Sequence, residues 1–499
     1  MNYFEKLDTS KSNKELKFVI IGGGVTGLFS ALFLKHFFPN SKVRIVYSKS
    51  IGSIGVGESS VPLLVEHFLM FGMKLNDFKQ TNATAKLAGV FNNGFSKQND
   101  YFVEPFILPN DAYGFKDNTY DFNFIEYFIH AAKKSNFDVH KFTEIISPFT
   151  SICKNDANKS KFKNLDFDYN KIPCGLHFDA HLIINLLEKF CKEKRIEFID
   201  DVIEDCNVVE DKITEIKCKH NIIKYFDYVI DCSGLSRITL KYTKNKFISE
   251  SDIFINSAIP NLITENIFYP FTKATGYDHG WYFNIPLTNR TGCGFLFNDN
   301  ITPENTLHLY MDNFFINNKK LNFIKRNKIL KWVPGYVEKP FFGNVFCSGI
   351  SCFFYEPLAA QTFPSLIFNL YHFKNFINEK LVDINSAIHS DIKKLKYLNV
   401  YRYSKPKDAP VNSVFWNEYY EYISKLDYIT HINDSISNLD INGIQSFISR
   451  EASFALFLTS FLAKQNVIRK QIKIKPATKL MYNHVLKINN QFYTEYTIK

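Results

Sequence analysis

Nowhere in this chain does an apolar run approach the roughly 20 residues that a membrane-spanning helix requires. A membrane partner is therefore not expected, and the greasiest late stretch, Phe454 to Ala463, reads as a buried helix. The nine cysteines include no C-x-x-C pair and no His/Cys ligand spacing, so no metal site is expected. Their odd number, with no signal-peptide pattern, argues for reduced thiols and a cytoplasmic setting. Positive charge is in modest excess, 60 Lys and Arg against 50 Asp and Glu, but it is scattered. Without a basic stripe no nucleic-acid partner is expected, and the net +10 implies at most a mild pull on an anionic cofactor or halide. Internal repeats and low-complexity linkers are missing too. The 499 residues thus read as one large domain with elaborations, or two domains with a soft boundary. The 51 Phe, beside abundant Lys, Asn and Ile, read as the mark of an AT-rich coding sequence rather than a special aromatic role.

What is present is glycine, in two early clusters. Lys17 to Ile21 is an apolar strand running into Gly22-Gly23-Gly24-Val25-Thr26-Gly27, the pattern G-x-G-x-x-G, and a helical stretch, Leu28 to Phe37, follows. In that setting the first glycine permits a tight turn, the second lets backbone approach a pyrophosphate, and the third lets helix pack on strand. Free N–H groups at the helix start, Val25 and Thr26 included, add an anion site. A second strand, Val43 to Tyr47, leads toward Gly55-Val56-Gly57-Glu58-Ser59-Ser60-Val61-Pro62. The carboxylate that normally receives the adenosine ribose at the end of that strand is absent; Val46-Tyr47-Ser48 stands there, leaving Ser48 as the available group.

Further along, Leu63 to Phe71 reads as helix, Phe91 to Asn123 as loops across a sheet, and Asp179 to Lys194 as an amphipathic helix. Ile196 to Ile230 alternates like strands and ends in Asp231-Cys232-Ser233-Gly234, small enough for backbone to close over a cofactor. Residues 252–298 read as strands of a second layer, Val345 to Gly349 as another strand and Ala359 to Phe376 as helix. The expected organisation is a polar lead-in over 1–16, a nucleotide-binding and substrate-layer module over 17–376 and a mainly helical section over 377–499. The fold class is α/β: a Rossmann-like sheet, an antiparallel substrate layer and a helical C-terminal section.

Taken together, these motifs resemble the flavin-dependent halogenases of the tryptophan-halogenase family. Gly22 to Gly27 matches its FAD motif, and the 55–62 segment its G-V-G-E-A-T-x-P. Thr81-Asn82-Ala83-Thr84-Ala85-Lys86 is similar to the stretch carrying the active-site lysine. His177-Phe178-Asp179-Ala180 and Asp231 to Gly234 match family segments. Gly280-Trp281-Tyr282-Phe283-Asn284-Ile285-Pro286-Leu287, followed by Arg290, Gly292 and Gly294, resembles the W-x-W-x-I-P signature with Phe283 replacing the second Trp. Gly349 and Glu356-Pro357-Leu358 match the segment beside the flavin, and Phe415-Trp416 a late F-W pair.

The resemblance implies an oxidoreductase of the monooxygenase-like flavoprotein fold. Reduced FAD, oxygen and a halide (chloride, bromide or iodide) yield hypohalous acid, which travels a closed passage to Lys86. There the amine hydrogen-bonds the oxidant or forms a haloamine with it, and delivers electrophilic halogen to an electron-rich indole, phenol or pyrrole. By itself Lys86 reads as one of many surface cations. The implied cofactor-binding residues are Gly22, Gly24, Val25, Thr26, Gly27, Gly55, Val56, Gly57, Glu58, Gly349, Pro357 and Leu358. Trp281, Phe283, Ile285, Pro286, Gln361 and Thr362 would line the substrate or halide pocket, and Trp281 also reads as an ordinary core aromatic. No second dinucleotide motif is visible, so the FADH2 would come from a separate flavin reductase. A homodimer is left open. Where the family resembles E-P-L-E-S-T-G, this chain reads Glu356-Pro357-Leu358-Ala359-Ala360-Gln361-Thr362. The carboxylate that pairs with the lysine is replaced by Ala359, leaving Glu356 as the candidate substitute. Two alternatives stay open: a flavin monooxygenase of the same fold, and a non-catalytic flavin-binding protein.

Overall fold

Lys17–Ile21 is buried at every position after its first, as a central strand of a parallel sheet should be. That sheet runs Phe341–Phe342, Val345–Cys347, Tyr228–Asp231, Lys17–Ile21, Lys42–Tyr47, Glu197–Asp200. Its pairings are parallel except the outer Phe341–Phe342 hairpin. The helix Val25–Phe37 follows the first strand directly and packs against Ala180–Glu193. This is the expected Rossmann-like arrangement. The computed structural model describes residues 7–51, 58–97, 99–107, 124–155, 159–263, 268–308, 310, 323–326, 328–407, 409, 413–448, 453–464, 466, 468 and 476–497.

The second layer is a larger sheet. Its order is Phe323–Arg326, Ser257–Ile263, Thr291–Phe297, Gly280–Pro286, Phe271–Tyr277, Ala88–Asn92, Tyr101–Pro105, with Leu330–Lys331 also on Ser257–Ile263. It is antiparallel with one exception: Phe271–Tyr277 pairs parallel with Ala88–Asn92. Two of these strands lie at or inside the stretch expected to loop, Phe91 to Asn123. Each is five residues long and bordered by Asn, Gly and Pro, so neither shows a clear period. A three-stranded sheet, Glu58–Ser59, Gly175–Phe178 and Thr84–Lys86, bridges the two layers.

From Thr362–Ile377 onward the described chain is helical: Ile384–Arg402, Val414–Ser424, Asp427–Asn438, Ile441–Phe447, Ser453–Ala463 and Pro476–Thr497. The largest buried apolar cluster runs from Phe18 to Val485, so these helices share a core with the nucleotide sheet. None of the described helices is long and apolar enough to cross a membrane. The lead-in is held rather than loose over residues 8–14. Ser12 N–H donates to Phe37 O (2.7 Å), Ser12 Oγ to Asn378 Oδ1 (2.9 Å) and Lys380 Nζ to Asp8 Oδ2 (2.6 Å). The Lys380 bond holds the Asp8 carboxyl well below the usual range.

Candidate active site

The first glycine cluster divides its labour. Gly22 takes φ +115°, and a Cβ there would lie 2.4 Å from Cys232 O; one on Gly27 would lie 1.9 Å from Gly22 O. Both positions are closed by backbone. A Cβ on Gly24 would meet nothing within 4 Å. Gly24 caps the 13-residue helix without a side-chain hydrogen bond, so the amides of Val25, Thr26 and Gly27 end the helix without intrahelical acceptors. Open space at an uncapped helix N-terminus fits a pyrophosphate. Across the cradle, Gly349 (φ +62°) packs so closely on Thr26 that a Cβ would come 2.5 Å from Thr26 Cγ2.

Asp231 holds the third wall. Its buried carboxylate accepts from Ser233 N (2.9 Å) and Oγ (2.6 Å), and from Thr239 N (2.9 Å) and Oγ1 (2.6 Å). Ser48 lies at the end of the second strand, its Oγ 2.8 Å from Ser50 Oγ. A carboxylate stands on the neighbouring strand: Asp200 is in register with Tyr47 and accepts from Lys49 N–H (3.1 Å). Sequence reasoning missed it because the two strands are about 150 residues apart. Gly55, Val56 and Gly57 lie outside the described residues, as does the Glu58 side chain.

Three distant motifs meet in the bridging sheet. Glu58 and Ser59 pair with Phe178 and His177; Thr84, Ala85 and Lys86 pair with His177, Leu176 and Gly175. A polar chain threads it. Thr84 Oγ1 donates to Pro286 O (2.6 Å), which obliges His177 Nδ1–H to donate to Thr84 (3.1 Å). His177 Nε2 then accepts from Thr272 Oγ1 (2.9 Å), itself 2.7 Å from Ser59 Oγ. Burial holds His177 neutral, with the Lys86 charge adding to the effect. The chain thus ties Pro286 of the Trp281 strand to the Lys86 strand.

Lys86 is 3% exposed. Among the described residues its Nζ makes no hydrogen bond or ion pair; it lies 5.3 Å from the Phe106 ring centre. Desolvation drives its pKa down to about 7, with Glu104 raising and Arg402 lowering it. Both the ammonium and the free amine are therefore accessible near neutral pH.

Glu356 is buried and makes no hydrogen bond or ion pair with Lys86. Its oxygens accept from Asn399 Nδ2 (3.0 Å) and Tyr403 OH (2.6 Å). Burial raises its pKa to about 8, against the Tyr403 bond and the Arg402 charge. Trp281 is 2% exposed in an aromatic cluster with Phe95 (5.8 Å) and Phe283 (6.4 Å). Its indole sits beside the Tyr403 hydroxyl, but without good hydrogen-bond geometry, and its N–H has no acceptor among the described residues. Ile285 and Pro286 are buried; Phe283 is half-buried against Gly294. Trp416 of the late pair is buried on Gly94 and Gly276, its N–H bonded to Tyr277 O (2.9 Å). In the Glu356 segment, Pro357 is exposed while Leu358 is buried in the core. Gln361 and Thr362 open the helix Thr362–Ile377 with no side-chain cap.

Ala359 and Ala360 both adopt left-handed backbone, φ 58° and 56°. Such a conformation costs a non-glycine residue about 1–2 kcal/mol, against about 0.5–1 kcal/mol of added chain entropy for glycine. Ala359→Gly is therefore expected to stabilise the fold by about 0.5–1 kcal/mol. Denaturant unfolding checks this, and an unchanged or lower midpoint would mean the turn holds no strain.

A family model described as tryptophan halogenase matches residues 17–434. The tryptophan 7-halogenase RebH of Lentzea aerocolonigenes is 25% identical over 398 residues, covering 75% of this chain and 73% of that one. The 7-chloro-L-tryptophan 6-halogenase KtzR of Kutzneria sp. (strain 744) is 25% identical over 312 residues. That match covers 57% of this chain and 59% of KtzR, less than two thirds of its length. In fold, the solved tryptophan halogenase from Shewanella frigidimarina matches with a TM-score of 0.80 at 19% identity, covering 97% of this chain and 95% of that one.

Proposed function

This chain belongs to the tryptophan halogenase family, and from that premise we propose that it is an FAD-dependent halogenase acting on a small electron-rich aromatic through Lys86. Bound FAD, reduced by a separate reductase, would supply two electrons to oxygen, which as the oxidant converts halide and a proton to hypohalous acid and water and leaves the flavin oxidised. The chain's own residues do the rest. Gly24 and the first helical turn receive the pyrophosphate, and Asp200 is the carboxylate available to the ribose that Ser48 was expected to serve. The uncapped start of helix Thr362–Ile377, at Gln361 and Thr362, offers its N–H groups to the halide.

Lys86 meets the oxidant either as ammonium or as free amine, both accessible near neutral pH. The ammonium donates a hydrogen bond to the hypohalite oxygen, whereas the free amine attacks halogen to form a haloamine and release water. Either route ends with halogen bonded to ring carbon and the ring proton passed to a base. Indoles, phenols and pyrroles suit a site in which Ala359 offers no carboxylate, because their heteroatom already activates the ring. Buried Trp281 backs the passage between flavin and substrate.

What supports this reading most is a buried lysine whose amine makes no hydrogen bond or ion pair among the described residues, on a sheet built from three separate motif segments. The test is a mass-spectrometric screen with reduced FAD, oxygen and chloride, bromide or iodide against indoles, phenols and pyrroles. Halogenated product that requires halide is expected. Hydroxylated product without halide dependence would make the chain a monooxygenase. Rapid halide-independent decay of reduced flavin, with no product, would make it a flavin-binding protein without catalysis.

A further inference from the structure

We propose that Glu104, braced by Arg402, is a positioning residue that serves as the counter-charge of Lys86; this rests on the role given to Lys86 above. Position 359 offers Lys86 no carboxylate, and both oxygens of Glu356 are taken by Asn399 and Tyr403.

Glu104 lies on the strand Tyr101–Pro105, opposite Gly89 and two residues from Phe106. Phe106 N–H continues that ladder by donating to Leu87 O (2.9 Å). Strand alternation puts Phe102, Glu104 and Phe106 on one face. Three cations line up along it. Lys86 Nζ lies over Phe106 (5.3 Å), the Arg402 guanidinium over Phe91 (5.8 Å) and Lys464 Nζ over Phe102 (5.9 Å). Among the described residues on this face Glu104 is the one carboxylate, 5% exposed, and Gly89 opposite leaves it room.

Arg402 fixes where that carboxylate points. Its Nε donates to both oxygens (3.0 and 3.1 Å) and its Nη2 to Oε2 (2.7 Å). A fork of this kind leaves a carboxylate little rotational freedom. Lys464, whose pKa burial also drives down to about 7 with Glu104 raising it, gives its amine to the carbonyls of Phe95 and Arg402 (2.9 Å to the latter) rather than to that carboxylate. On the other side of Lys86 stand neutral His177 and the buried Cys174 thiol, neither carrying charge at neutral pH. Glu104 and Arg402 are therefore the two fixed charges that set how readily Lys86 holds a proton, with opposite signs.

That opposition is the test. Glu104→Gln and Arg402→Met are made in the full chain. The pH midpoint of Lys86 acylation by acetic anhydride is then followed by peptide mass spectrometry, alongside the pH profile of halogenation. Glu104→Gln is expected to lower the midpoint by about one pH unit and Arg402→Met to raise it by a similar amount. Glu104→Asp, which keeps charge on a shorter arm, should move it down by less. A structural defect alone would not send the two variants in opposite directions. Midpoints that stay put, or move together, overturn the proposal. If Glu104→Gln fails to bind FAD, Glu104→Asp decides, and a wild-type midpoint there overturns it. Opposed midpoints in a protein whose halogenation survives loss of Lys86 would instead sink the role given to Lys86 and leave this pairing intact.

Discussion

Lys86→Met is expected to abolish halogenation while leaving FAD binding and the oxygen-driven oxidation of reduced flavin at wild-type levels. Methionine fills the lysine's volume without its nitrogen, so loss of product reports the amine rather than a cavity. The fold should gain from the change. The pKa of Lys86 is about 7 in the folded chain, against an ordinary value of 10.5. Between those values the unfolded chain holds a proton that the folded lysine has released, so wild-type stability rises with pH across that window. Below pH 7 the buried charge carries its full cost, at about 1.4 kcal/mol for each pH unit of the displacement. The stabilisation of Lys86→Met should therefore be largest below pH 7 and fade toward pH 10.5. Denaturant unfolding at several pH values, with a halogenation assay beside it, reads both halves. Retained halogenation would end the proposed mechanism; a pH-independent stability gain would mean that the amine is not desolvated.

Gly24→Val and Gly27→Val should separate cofactor binding from folding within one four-residue span. A side chain at Gly24 meets open space in the protein alone, so the variant should unfold like wild type. It would fill the approach to the helix N-terminus and weaken FAD binding at least ~100-fold, on the order of 3 kcal/mol. At Gly27 the added carbon would sit 1.9 Å from a backbone oxygen, which no rotamer change relieves. That variant should accumulate as insoluble or unfolded protein. Flavin-fluorescence titration and thermal unfolding read the pair. A Gly24→Val protein that binds FAD normally would move the pyrophosphate away from this turn.

Most of the nucleotide half was legible because its signals are local. An apolar strand, a glycine turn and an apolar helix adjoin in sequence, and the observed helix, Val25–Phe37, starts three residues before the expected Leu28. The helices Pro62–Met70 and Ala180–Glu193 fall within a residue of their expected ranges, since each carries continuous apolar spacing. The helix expected from Ala359 begins at Thr362, because Ala359 and Ala360 turn left-handed before it. Within the stretch expected to loop, Tyr101–Pro105 and the end of Ala88–Asn92 are strands, which escaped the reading because short strands between Asn and Gly carry no period; residues 108–123 of that stretch lie outside the described residues. Glu104 and Arg402 were invisible for another reason. A carboxylate on a short strand and a guanidinium at a helix end, about 300 residues apart, look like surface charge until packing removes their water.

Chain order and residue type were enough to establish the nucleotide fold and the family and to single out Lys86 as a candidate, because each motif leaves its mark within about ten consecutive residues. Which charges surround that lysine, that Glu356 faces Tyr403 and Asn399 instead, and that Asp200 stands beside Tyr47 were decided by long-range strand and helix packing. Electrostatic partners are chosen by distance through a dry interior, and that distance has no counterpart along the sequence.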